Sequence, residues 1–220
     1  ALKYYEQTLE IRLKGLGPNH PTVATTYSNI GLVYNDQGKY SQALKYYDQT
    51  LEIQLKTMGP NHPSVATTYN NIGGVYNDPG EYSQALKYYE QTLEIDLNAL
   101  GPNHPSVAIT YNNIGLVYND QGEYSQALKY YQHTLEIQLK TLGPNHPSVA
   151  TTYNNIGGVC KDQGEYSQAL KYYEQTLEID LNALGPNHPS VATTYNHIGL
   201  VYNDQGEYSQ ALKYFEQTLG

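Results

Sequence analysis

Pro63-Ser64-Val65-Ala66-Thr67-Thr68-Tyr69-Asn70-Asn71-Ile72-Gly73-Gly74-Val75-Tyr76-Asn77-Asp78 places Val65, Tyr69, Ile72 and Tyr76 at i, i+4, i+7 and i+11. That spacing gathers the four on one face of a helix, and their apolar character makes it the buried face. Pro63 suits the first helical position, where a missing N–H leaves nothing unpaired, and His62 or Asn61 before it can cap the end. A second periodic stretch runs from about Ser83 to Ala99, with Ala85, Leu86, Tyr89 and Leu93 as its stripe. Ser83 is its candidate cap and Gly101 its stop. Strands need period-two alternation, and none is present.

The pair of helices is copied along the chain. Ala1-Leu2-Lys3-Tyr4-Tyr5 returns almost unchanged at Ala43, Ala85, Ala127, Ala169 and Ala211, a strict spacing of 42 residues. The expected organisation is a single repeat domain over 1–220. Within it, 1–15 is a partial repeat (second helix only), 22–57, 64–99, 106–141 and 148–183 are full repeats, and 190–220 is a shortened last repeat. Eleven helices follow. One hairpin cannot bury both of its faces, so the repeats must stack. Gly31, Gly73, Gly115, Gly157 and Gly199 sit inside the first helices, each at a cost of about 1 kcal/mol relative to Ala. A small residue facing them on the second helix, Ala85 opposite Gly73, is the expected compensation, because it lets the two axes close up.

A longer period lies over the first. Leu32, Gly74, Leu116, Gly158 and Leu200 alternate at one position, and Gln54, Asp96, Gln138 and Asp180 at another, giving pairs of 84 residues that Arg12 interrupts.

Composition narrows the function. The chain has 25 Tyr but one Phe and no Trp, as repeated copying of a few positions produces. Twelve Lys and Arg against 21 Asp and Glu give a net charge of −9, which repels the phosphate backbone that supplies most nucleic-acid affinity. No apolar run approaches the roughly 20 residues that cross a bilayer. Cys160 has no second cysteine to pair with, and no Asn-x-Ser/Thr sequon is present, so the expected location is cytoplasmic.

Tyr69-x-x-Ile72-Gly73-x-x-Tyr76, followed by Gly80, Tyr82, Ala85, Tyr89 and Leu93, resembles the tetratricopeptide signature. The 42-residue period, with Leu-Gly-Pro-Asn-His-Pro-Ser-Val-Ala and Tyr-Asn-Asn-Ile-Gly, is similar to the kinesin light chain type of that repeat, whose second helix is longer. Leu55, Leu97, Leu139 and Leu181, standing where shorter repeats end in Pro, agree. Thr50, Thr92, Thr134, Thr176 and Thr218 stand where the family usually has Ala and suggest a wider contact with the next repeat. The resemblance implies an all-α fold, a right-handed superhelical solenoid of antiparallel hairpins whose first helices form a concave, partner-binding wall.

On that wall the polar stripe of the first helix is Thr67, Asn70, Asn71, Gly74, Asn77 and Asp78. The copies add Asn112, Asn113, Leu116 and Asn119, then Asn154, Asn155, Gly158 and Lys161, then Asn196 and His197. Asn is a poor helix former, and its amide offers both donors and an acceptor to the backbone of an extended peptide of any sequence. Gly74 and Gly158 should sink the floor where Leu116 raises it. Ile109, Lys161 and His197 depart from the repeated Thr, Asn and Asn, so later repeats present a different surface. Asp36, Asp78, Asp120, Asp162 and Asp204 recur along the wall and only Lys161 opposes them, so the expected partner is a neutral or basic peptide rather than an acidic one. The alternative is a structural spacer whose surfaces are merely solvated.

The remaining candidates for chemistry read as structure. His20, His62, His104, His146 and His188 recur too far apart to share a zinc ion, which holds its ligands at about 2.0 Å, and fit loop caps instead. Cys160 replaces the Tyr of Tyr34, Tyr76, Tyr118 and Tyr202 and fits a buried inert thiol beside a small cavity. Glu6 and Glu10 with their copies alternate with Lys on second helices as a solvated face. No nucleophile, base and orienting group recur together, so neither enzymatic activity nor a cofactor or metal is expected. The faces of Tyr4, Tyr5 and Leu9 at the front and of Tyr195, Ile198 and Tyr202 at the back suggest head-to-tail self-association.

Overall fold

The computed structural model describes residues 1–218; the last two residues of the second helix expected over 211–220 lie outside it. The described residues form eleven helices and no strand. In chain order these are α1 Leu2–Leu16, α2 Pro21–Asp36, α3 Tyr40–Met58, α4 Pro63–Asn77, α5 Tyr82–Leu100 and α6 Pro105–Asp120. They continue as α7 Tyr124–Thr141, α8 Pro147–Asp162, α9 Tyr166–Leu184, α10 Pro189–Asp204 and α11 Tyr208–Gln217. The chain divides into two compact units, one over Ala1–Asn113 and one beginning at Ile114, inside α6. In the first, α2 pairs with α3 and α4 with α5; in the second, α8 pairs with α9 and α10 with α11. No described helix is long and apolar enough to cross a membrane.

The histidines start the first helices. In His20, His62, His104, His146 and His188, Nδ1 accepts the backbone N–H two residues on, at 3.1–3.3 Å. Each thus satisfies one of the orphan donors of a helix N-terminus. Pro at the next position removes another N–H that would have had no partner. Gly59, Gly101 and Gly185 follow the second helices with φ of 83–84°, a left-handed conformation that only Gly adopts cheaply.

The second helix begins differently from the expectation. Tyr82, not a residue after Ser83, opens α5, and the preceding Glu81 makes no side-chain cap. The loop supplies the order instead. Glu81 N–H donates to Tyr76 C=O and Gly80 N–H to Asn77 C=O, both at 2.9 Å, with Gly80 at φ 84°. This is the Schellman closure, which pairs the last carbonyls of the first helix and throws the chain straight into the second. Lys39, Glu123, Glu165 and Glu207 make the same bond to Tyr34, Tyr118, Cys160 and Tyr202, at 2.8–2.9 Å. Ser83 is not needed as a cap.

A second correction concerns the helix glycines. A Cβ at Gly73 would meet the ring of Tyr89 at 2.7 Å, not Ala85. Gly31 faces Tyr47, Gly115 faces Tyr131, Gly157 faces Tyr173 and Gly199 faces Phe215 in the same way, at 2.6–3.0 Å. The missing side chain makes room for one edge of an aromatic ring against the first helix. The burial of that ring offsets the propensity cost of the Gly. Tyr47 and Tyr131 are among the largest fully buried side chains.

The repeated Thr also acts within its own hairpin. Thr50, Thr92 and Thr176 Oγ1 donate to the carbonyls of Ala24, Ala66 and Ala150 at 3.1–3.3 Å, tying the second helix to its own first helix. At the loop end of each hairpin, Tyr34, Tyr76, Tyr118 and Tyr202 stack on Tyr46, Tyr88, Tyr130 and Tyr214, centroids 5.5–5.6 Å apart. Cys160 is buried as expected, and its thiol is pushed up by desolvation and then by Glu165. It leaves Tyr172 without that stacking partner.

Candidate functional site

The first helices of neighbouring hairpins lie beside one another within each unit. In the first unit α2 packs against α4, and Asn113 Nδ2 on α6 donates to Asn70 Oδ1 on α4 at 2.9 Å. In the second unit His197 Nδ1 on α10 lies 2.8 Å from Asn154 Oδ1 on α8. The substitution at His197 therefore preserves the lateral link, and its ring also packs on Tyr173 with centroids 5.2 Å apart. Burial, and then the charge of Lys161, lowers the His197 pKa.

Thr67, Asn196 and Leu200 are exposed, and Asn70, Asn71, Gly74, Asn77, Asn112, Asn113, Leu116, Asn119, Asn154, Asn155 and Gly158 are half-buried. The stripe predicted from spacing is therefore a partly sunken polar surface. Beneath Gly74 and Gly158 a Cβ would sit 3.7 Å from the hydroxyls of Tyr89 and Tyr173, an ordinary contact, so tyrosine hydroxyls form the floor there. Lys161, the cation that interrupts the stripe, holds Asp162 at 3.1 Å. Asp78, Asp120, Asp162 and Asp204 stay exposed along the edge.

Two pockets open on this surface. The first, about 150 Å³, is lined by Pro63, Thr67 and Asn70 of α4, Thr92 and Asp96 of α5, and Ser106, Ile109 and Thr110 of α6. The second, about 300 Å³, lies in the other unit among Pro147, Thr151 and Asn154 of α8, Thr176, Asp180 and Leu184 of α9, and Pro189, Ser190, Thr193 and Thr194 of α10. Each lining residue of the first has its counterpart 84 residues later in the second, Leu184 and Pro189 being additions. Asp96 and Asp180 form the floors, only 4% and 5% exposed. Desolvation raises both carboxyl pKa values, against a smaller lowering by His104 and His188. The alternation of Gln and Asp in the sequence was the signal for these pockets. It could not reveal that the position lies at the junction between hairpins. Among the described residues no group of three or more His, Cys, Asp and Glu comes together to hold a metal ion.

The model of the tetratricopeptide repeat matches in overlapping windows at residues 1–56, 22–98, 64–140, 106–182 and 151–220. The chain belongs to the tetratricopeptide repeat family. Solved structures agree in fold. BtubC (BKLC) from P. vanneervenii superposes with a TM-score of 0.83 at 20% identity, over 99% of this chain and 87% of that one. A putative kinesin light chain from Podosopora anserina, described by its nearly identical TPR-like repeats, gives 0.75 at 24% identity, over 90% and 94%. MamA gives 0.57 at 23% identity, over 89% and 90%. At these identities the likeness speaks for the tetratricopeptide fold alone. No curated protein sequence matches the chain.

Proposed function

We propose that this tetratricopeptide array is a non-catalytic protein-interaction scaffold that holds an extended neutral or basic segment of a partner along the wall of its first helices. Repeats of this family generally mediate contacts between proteins. One observation carries the finer reading: half-buried Asn and exposed Thr side chains line adjacent first helices beside exposed aspartates, and the one lysine among them is already paired with Asp162. Amide and hydroxyl groups suit the backbone of an extended chain, whose sequence they do not read. The acidic edge disfavours a partner of the same sign.

Calorimetry with length-matched basic and acidic peptides tests the charge preference, and Asn70→Ala, Asn112→Ala and Asn154→Ala combined test the wall. Tighter binding of the basic peptide, weakened in the triple variant, is expected. Tighter binding of the acidic peptide contradicts the reading. A second reading, a spacer array, is favoured by the Asn70–Asn113 and Asn154–His197 contacts, which use wall side chains to join helices. It predicts that the triple variant loses stability while no peptide distinguishes it from the parent.

A further inference from the structure

The junctions between consecutive hairpins come in two kinds. At one kind a long side chain from a second helix reaches the Thr of the next first helix and closes the gap. Thr68 Oγ1 donates to Gln54 Oε1 at 2.8 Å, and Thr152 Oγ1 to Gln138 Oε1 at 2.7 Å. Arg12 does the same with reversed polarity, donating to Thr26 Oγ1 at 2.7 Å and Thr22 C=O at 2.9 Å. At the other kind the residue is Asp, one methylene shorter than Gln. The facing Thr110 and Thr194 keep only the bond to their own helix that Thr68 and Thr152 also make, donating to the Ser106 and Ser190 carbonyls at 3.1 and 3.0 Å. Asp96 and Asp180 are left more than nine-tenths buried, with no hydrogen-bond partner among the described residues, at the floor of the two pockets.

A carboxylate held largely out of water is costly, and one whose oxygens face a pocket instead of a protein donor is placed to meet a counter-charge from outside. The rest of each lining says which kind. A single carboxylate among hydroxyls and one Asn amide is too poor in anionic oxygen for calcium, which takes 6–8 oxygen ligands, usually from several carboxylates. One positive charge with several N–H donors matches one carboxylate plus the hydroxyls of Thr92 and Thr110, or of Thr176 and Thr194. Pro63 and Ile109 in the first pocket, and Pro147, Leu184 and Pro189 in the second, offer apolar walls to the methylenes behind such a charge. The volumes, about 150 and 300 Å³, exceed the roughly 10–15 Å³ that one water needs. Both mouths carry wall residues, Thr67 and Asn70 in one and Thr151 and Asn154 in the other. His104 and His188, the caps of α6 and α10, are the titratable groups beside the two carboxylates.

We infer that the Asp96 and Asp180 pockets are specificity pockets, each receiving one lysine or arginine side chain of the partner segment, while the intervening Gln54 and Gln138 junctions receive none. This rests on the scaffold reading above and names what that scaffold selects. The 84-residue period thereby acquires a function: it sets basic-side-chain pockets at alternate junctions.

The test uses the whole chain and two blocked nonapeptides of Ser and Ala that differ only at the centre, Lys in one and norleucine in the other. The norleucine twin keeps the methylenes and removes the charge. Two double variants are compared with the parent: Asp96→Asn with Asp180→Asn, which removes charge at constant size, and Asp96→Gln with Asp180→Gln, which installs the side chain the protein already uses at Gln54 and Gln138. The parent is expected to prefer the Lys twin by about ten-fold, a difference of about 1.4 kcal/mol. Both variants should lose that preference while holding the norleucine twin as before. Equal binding of the twins by the parent, or a Lys preference that survives in both variants, overturns the inference. Asn71→Ala with Asn112→Ala, which touches neither pocket, separates the two levels. If it weakens twins that the parent binds equally, the scaffold stands and the pockets fall; if neither twin binds the parent, both fall.

Discussion

Gly73 and Gly74 are neighbours on α4, and replacing each by Ala should move stability in opposite directions. Both substitutions gain helix propensity, worth up to about 1 kcal/mol in a helix interior. At Gly74 the new methyl would lie 3.7 Å from the Tyr89 hydroxyl, an ordinary contact, so most of that gain survives. At Gly73 it would lie 2.7–3.0 Å from three atoms of the Tyr89 ring itself. Tyr89 is only 4% exposed and cannot swing aside, so the hairpin must open or the ring must leave its rotamer. Overpacking of that kind costs about 1–3 kcal/mol, more than propensity returns. Gly73→Ala should therefore lower stability by about 1–2 kcal/mol and Gly74→Ala raise it by about 0.5–1 kcal/mol. Repeat arrays unfold as coupled neighbours, so amide exchange in α4 and α5 is the sharper readout, with urea denaturation beside it. Adding Tyr89→Leu to the Gly73→Ala background should return part of the loss, as expected of residues in contact. A Gly73→Ala chain at least as stable as the Gly74→Ala chain would refute the reasoning.

Cys160→Tyr should restore on Tyr172 the stack made by the other four hairpins and raise stability by about 1 kcal/mol; a lower denaturation midpoint than the parent's would contradict this. His146→Ala removes the acceptor for Ser148 N–H and should cost about 0.5–2 kcal/mol, with faster amide exchange confined to the first turn of α8. Burial raises the pKa of Asp96 and Asp180 above the ordinary 3.8, so the folded state binds their protons more tightly than the unfolded one. Their contribution is fully present below pH 3.8 and is lost as pH rises through the raised values. The Asp96→Asn, Asp180→Asn variant should accordingly gain on the parent as pH rises across that window, and stability curves that run parallel would count against burial of the two carboxylates.

The helices and their ends were legible because the signals are local. The i, i+4, i+7 spacing of Val65, Tyr69 and Ile72, Pro63 behind His62, and Gly101 each act within a turn or two of chain. What periodicity does not give is the identity of the neighbour across an interface. Spacing placed Gly73 on a packed face and suggested Ala85 opposite it, yet the occupant is Tyr89, because an aromatic ring spans a gap that Cα spacing alone would assign to a small residue. Thr92 does line a gap against the next repeat, but spacing did not reveal that its hydroxyl also ties it to the Ala66 carbonyl within its own hairpin. Ser83 looked like a cap because capping residues are common at helix starts, but the Schellman bonds of Gly80 and Glu81 had already set the entry of α5. For the site, the Asn stripe followed from spacing, while the pockets did not. Asp96 and Asp180 were visible as an alternation with Gln54 and Gln138, but reading a missing methylene as a pocket required knowing that Thr68 and Thr152 stand opposite the longer side chain.

The central claim is that partners lie extended on the first helices, and selection from a display library of random peptides on the immobilised chain, followed by amide exchange with the winning sequence, tests it most directly. The account predicts enrichment of sequences carrying Lys or Arg, with new protection on α4, α6, α8 and α10 and little on α5, α7 and α9. Enrichment of acidic sequences, or protection confined to the second helices, would contradict it.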